Sequence, residues 1–138
     1  MRSVLSVLVI EDEPILAKNI CAYLVRYSYA VRIAHSAEAG IAELQAFKPD
    51  IILLDFNLPG MNGLQALTRI RAVAPEIKVI MMTAFGSIDL AVQAMRAGAC
   101  HFVTKPISVS KLKQMLDDET VDTRAARSGA DPSSMPIA

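Results

Sequence analysis

Residues 50–60 read DIILLDFNLPG. Four aliphatic side chains, Ile51 to Leu54, run straight into Asp55, and the chain turns at Pro59-Gly60. An unbroken apolar run this short, with turn residues behind it, predicts a strand buried on both faces. A carboxylate at the end of such a strand is costly unless it is paired or bound to a metal. The partner has to come from elsewhere in the chain.

Four more runs of the same character lie at 4–10, 30–34, 78–82 and 100–103. Helical spacing fills the gaps between them. Pro14 suits a first turn, and Leu16, Ile20, Leu24 and Tyr27 then share one stripe. Ser36 is placed to cap a helix over 37–47, and Asn62 or Gly63 to open one carrying Leu64, Leu67 and Ile70. Ser87 starts the next, with Ile88, Ala91, Val92 and Met95 as the expected buried stripe and Gly98 as its stop. Ser108 or Ser110 begins the last. Five strand–helix units in alternation imply an α/β, doubly wound (βα)5 architecture, a parallel sheet with helices on both faces.

Composition narrows the classes of function. The 138 residues are 53% hydrophobic and 20% charged, enough for one domain with a real core. Fourteen basic residues balance fourteen acidic ones, which argues against direct nucleic acid binding or attraction to anionic lipid. No stretch approaches the roughly 18 apolar residues of a membrane span, and 4–10 runs into Glu11-Asp12-Glu13 instead of a cleavage site. Cys21 and Cys100 make no disulfide framework, so free thiols in a reducing, cytoplasmic setting are expected. Beyond about Asp118 the chain becomes small and polar (TRAARSGADPSSMPIA). The expected division is a domain over 1–118 and a linker or disordered tail over 119–138.

The polar residues at the strand ends can meet, because parallel strands finish on one edge. The first strand ends in Glu11-Asp12, the third in Asp55, the fourth in Thr83 and the fifth in Lys105-Pro106. With strand order 2-1-3-4-5 the crevice opens between strands one and three, the two that carry carboxylates. Oxygen ligands of this kind suit Mg²⁺ or Mn²⁺. A metal-neutralised aspartate is a nucleophile toward phosphorus, and a lysine and a hydroxyl opposite it can hold phosphoryl oxygens.

With those residues in place, VIEDEP, IILLDFNLPGMNG, VIMMTAFGS and FVTKP in this order and spacing resemble the receiver domain of two-component response regulators over residues 3–118. The stretch MMTAFGSIDLAVQAMRAGACHFVTKPIS is similar to receivers of nitrogen-regulator type. The resemblance implies a CheY-like, flavodoxin-like fold and a phosphorelay switch in which Asp55 is the phosphoacceptor. It implies that Glu11, Asp12, Asp55 and the backbone carbonyl of Asn57 hold Mg²⁺ (or Mn²⁺). Thr83 would bind the phosphoryl group and act as a switch, Lys105 would form an ion pair with the phosphoryl group, and Phe102 would be the switch aromatic. The Lys105–Pro106 bond would be cis. A histidine kinase or phosphotransfer protein would be the donor, and on phosphorylation the switch surface would meet either a second copy, giving a homodimer, or another partner. An output domain would follow in relatives of this type, and the chain is expected to be shortened or stand-alone. Catalysis would be limited to self-phosphorylation and autodephosphorylation. Glu11 stands where Asp is also common, and Phe102 lacks the hydroxyl of a Tyr.

Two rivals are weighed beside this reading. A haloacid-dehalogenase phosphatase needs a second Asp two residues after the nucleophile, where this chain has Asn57, and room for a cap domain. A receiver-shaped interaction module that is never phosphorylated has no use for the complete acid, Thr and Lys set. Zinc is unfavoured, since Cys100 and His101 are adjacent in a strand and point to opposite faces, and His35 and Cys21 lack ligand spacing. Glu13 is assigned to the dipole of the first helix. Met61 and Phe85 are either local packing or partner contacts. Leu90 and Ala94, off the expected buried stripe, are assigned to a partner surface formed with the fifth strand and last helix.

Overall fold

Along the three inner strands of the sheet, successive side chains enter opposite cores, which is why these sequences are predominantly apolar. In the computed structural model, residues 4–84 and 86–120 are described. The elements run β1 (Leu5–Ile10), α1 (Pro14–Arg26), β2 (Tyr29–Ala34), α2 (Ala37–Glu43), β3 (Ile51–Asp55), α3 (Gly63–Val73), β4 (Lys78–Thr83), α4 (Ile88–Arg96), β5 (His101–Thr104) and α5 (Val109–Glu119). All strand pairs are parallel and the order is β2-β1-β3-β4-β5, as the sequence implies. Leu8, Ile10, Ile52, Leu54, Val79 and Met81 face α2, α3 and α4. Val7, Val9, Ile51, Leu53, Ile80 and Met82 face Ala17, Ile20 and Leu24 of α1 and Leu112 and Leu116 of α5. Burying a side chain of this size is worth about 1.5–3 kcal/mol, so the two layers together fix the strand edge on which Asp55 stands.

The helix starts follow their caps. Ser36, Ser87 and Ser108 accept from the backbone of Ala39, Leu90 and Lys111, and Asn62 forms a reciprocal capping box with Gln65. At the end of α4, Gly98 N–H donates to Met95 O and Ala99 N–H to Ala94 O, with Gly98 at φ 112°. This is a Schellman closure, and only glycine takes that φ without strain. The second helix is shorter than its spacing suggests: it stops at Glu43, and 44–46 form turns. The last runs to Glu119, with Thr120 buried as its C-cap. Of the region assigned to the tail, 121–138 lie outside the described residues, as does Phe85.

Two expectations about buried faces are overturned. On α1, Tyr27 is exposed and Ala17 takes its place in the buried set. On α4 the expected orientation is reversed. Ala94 is fully buried and Leu90 half-buried, while Ile88 is 83% exposed and Val92 and Met95 also face outward. The helix is apolar on two sides, and the side carrying small residues goes inward because alanine lets the helix axis lie closer to the sheet. The outward apolar stripe is therefore Ile88, Val92 and Met95, and Leu90 does not belong to it.

Candidate functional site

At the carboxyl edge of the sheet, the ends of β1, β3, β4 and β5 bring together the residues singled out in the sequence. Glu11, Asp55 and Thr83 are almost completely buried, whereas Asp12 is exposed. Rigid backbone pairing sets the positions: Glu11 N–H donates to Ala34 O at 3.0 Å, Phe56 N–H to Met82 O at 2.7 Å, and Lys105 N–H to Thr83 O at 2.7 Å. The Lys105–Pro106 peptide is cis.

Lys105 Nζ lies 2.8 Å from Glu11 Oε1 and 3.3 Å from Asp55 Oδ1. These are ion-pair distances, and both oxygens are buried with the lysine as their charged neighbour and without a satisfied hydrogen bond. Burial pushes the Glu11 carboxyl up, and the neighbouring Lys105 ammonium and the Glu13 N–H do not fully offset it. Burial pulls the Lys105 ammonium down, but Glu11 and Asp55 together outweigh burial and hold it above the ordinary lysine value. One ammonium is thus shared between two crowded carboxylates.

Glu11, Asp12 and Asp55 each offer one oxygen within 4.8 Å of the others. Two oxygens on opposite sides of one Mg²⁺ stand about 4 Å apart, so a small inward movement would fit the cluster around one ion. Three carboxylates less one ammonium leave two negative charges to compensate. The buried oxygens lacking hydrogen bonds are acceptors of the hard kind that a divalent cation takes. The donor set fits the ion.

Opposite the acids, Thr83 Oγ1 donates to Asn57 Oδ1 at 3.1 Å. The side chain of Asn57 is therefore held against Thr83. His35 also borders the site: its Nδ1 lies 3.1 Å from Glu11 O and donates to it in the Nδ1-protonated tautomer. Neither contact is visible as spacing in the sequence, although His35 directly follows β2, whose carboxyl end lies on this edge. Glu13 N–H donates to Glu11 Oε2 at 3.1 Å, and its own side chain caps nothing at the start of α1. Phe102 is half-buried beside a cleft of about 370 Å³ between β5 and α5, shared with Thr104, Pro106, Lys111 and Met115.

A family model described as response regulator receiver domain matches residues 7–117. The chain is 31% identical over 124 residues to the transcriptional regulatory protein ZraR of Salmonella typhimurium, an alignment spanning 90% of this chain and 28% of that protein. It is 34% identical over 108 residues to the nitrogen assimilation regulatory protein NtrX of Azorhizobium caulinodans, spanning 77% of this chain and 24% of that one. The chain thus covers about a quarter of the length of these relatives. The solved receiver domain of NtrX from Brucella abortus superposes with a TM-score of 0.77 at 30% identity, covering 82% of this chain and 96% of that structure.

Proposed function

The chain belongs to the response regulator receiver domain family, and from that premise we propose that it is a phosphorylation switch whose acceptor is Asp55. The observation that carries this reading is the crowding of Glu11, Asp12 and Asp55 opposite Lys105 and Thr83, with two buried carboxylate oxygens that accept no hydrogen bond. An Asp55 carboxylate oxygen attacks phosphorus in line. The new O–P bond forms as the P–N bond of a phosphohistidine, or the P–O bond of acetyl phosphate, breaks, and the donor leaves with the electron pair. Lys105 and the Thr83 hydroxyl hold the phosphoryl oxygens, for which Thr83 gives up Asn57. Glu11, Asp12, Asp55 and the Asn57 carbonyl would hold Mg²⁺ (or Mn²⁺), which would neutralise the charge of the carboxylates and of the incoming phosphoryl group. Water later hydrolyses the acyl phosphate, so the protein turns over only its own phosphoryl group.

The donor in this reading is a histidine kinase or phosphotransfer protein, and the response leaves through α4, β5 and α5. The exposed stripe of Ile88, Val92 and Met95 is its apolar part, suited to a second phosphorylated copy or to an output module such as the transcription regulators among its relatives carry. Intact mass spectrometry after incubation with acetyl phosphate and Mg²⁺ tests the acceptor. One phosphoryl group is expected on the wild type, and none with EDTA or in Asp55→Asn. Uptake by Asp55→Asn equal to the wild type would end the assignment.

A further inference from the structure

Between β4 and α4, the exposed Gly86 lies beside the exposed Thr104 at the end of β5. A Cβ placed on Gly86 would lie 2.3 Å from Thr104 Cγ2 and 3.4 Å from Thr104 Cβ. The Thr104 methyl therefore occupies the space that any side chain at position 86 would need. Thr104 is the register partner of Thr83, and the next residue, Lys105, donates its N–H to Thr83 O at 2.7 Å. These contacts close a ring: the chain from Thr83 to Gly86, the methyl contact to Thr104, the peptide to Lys105, and the hydrogen bond back to Thr83. Lys105 reaches Asp55 and Glu11 from this ring, and the Thr83 hydroxyl faces Asn57 from it.

We propose that Thr104 is a positioning residue, whose methyl, lying against the bare backbone of Gly86, makes Thr83, Lys105 and Gly86 move as one unit. Thr104 touches no reacting atom. Its β-branched side chain has few rotamers, so the methyl transmits displacement in both directions. A shift of Lys105 toward charge on Asp55 carries Gly86 with it, and a shift of Gly86 displaces Lys105. The consequence for phosphoryl transfer rests on Asp55 being the acceptor; the mechanical coupling does not.

The test uses the full chain with Gly86→Ala, Thr104→Ser, Thr104→Val and the doubles of Gly86→Ala with each Thr104 change. Amide NMR shifts of Thr83 and Lys105 in the unphosphorylated protein report the coupling directly, and acetyl phosphate uptake reports its effect. Gly86→Ala is expected to move both amide signals and slow uptake by about tenfold or more, since small misplacements at a reacting centre are costly. Adding Thr104→Ser, which removes the methyl, returns shifts and rate toward the wild type, whereas adding Thr104→Val, which keeps a methyl, does not. Thr104→Ser alone keeps the fold and speeds amide exchange at Gly86, so the coupling is judged even if Gly86→Ala fails to fold. Unchanged Thr83 and Lys105 signals in Gly86→Ala, because Thr104 turns aside, would overturn the proposal. So would unchanged exchange in Thr104→Ser, or rescue by Val equal to that by Ser. A wild type that takes no phosphoryl group counts against the acceptor reading alone, and the amide measurements still decide the coupling.

Discussion

The two ends of the sheet use the same residue types and treat them in opposite ways. At the amino edge Asp50, Asp117 and Glu119 each have a partner that suits them. Asp50 Oδ2 accepts from Ser6 N–H at 2.8 Å, Asp117 takes the Tyr29 hydroxyl and the Lys113 ammonium at 2.6 Å each, and Glu119 meets His101 at 3.3 Å while its carbonyl receives Lys78. At the carboxyl edge, two buried carboxylates share one lysine, and an oxygen of each accepts no hydrogen bond. The first edge closes α5 onto the strands. The second holds crowded negative charge of a kind that a cation can relieve, and it draws its rigidity from the rest of the molecule. Comparing them separates groups that stabilise the fold from groups that the fold has to carry.

The contrast can be broken by measuring unfolding free energies in EDTA at neutral pH. Lys105→Ala should have the largest effect. It strands Glu11 and Asp55 without a counter-charge and costs about 1–3 kcal/mol, the buried-pair cost discounted for the lysine's 19% exposure. Saturating Mg²⁺ should return part of that loss, and urea titrations with and without the ion read it. A deficit below about 0.5 kcal/mol would show that the carboxylates are not under electrostatic load.

Asp50→Ala at the other edge should come next, losing about 1–2 kcal/mol because the Ser6 N–H is left without its carboxylate. Its phosphoryl uptake, followed by mass, should equal the wild type. A slowed uptake would mean that the two edges are not independent. Asp55→Asn should change sign, raising the metal-free stability by roughly 1 kcal/mol as one of two crowded charges disappears. A lowered melting temperature would contradict the charge crowding inferred for the site.

The smallest effect on metal-free stability belongs to Asp12→Ala. That side chain is exposed, and the change should stay within about 0.5 kcal/mol. Mg²⁺ affinity measured by calorimetry should nevertheless fall about tenfold or more, as expected when a ligand or its orienting neighbour is removed. Equal affinity would remove Asp12 from the cation site.

Much of this was legible in the chain alone. The alternation of apolar runs with capped helical segments determined the elements and their parallel arrangement, because a strand buried on both faces leaves no polar alternation and because Ser36, Asn62, Ser87 and Gly98 mark helix ends by local hydrogen bonding. Parallel strands share one edge, so the meeting of Glu11, Asp55, Thr83 and Lys105 also followed from sequence position. Only the tertiary structure decided which of two apolar faces of α4 went inward, since spacing ranks Ile88 and Val92 above Ala94 while close approach to the sheet favours the small residue. It alone brought Asn57 to Thr83 and His35 to Glu11, at 3.1 Å each, and the Thr104 methyl beside Gly86, between segments 18 or more residues apart. Local periodicity carries no information at that range, because such contacts depend on how separate elements pack and not on the order of residues within any one of them.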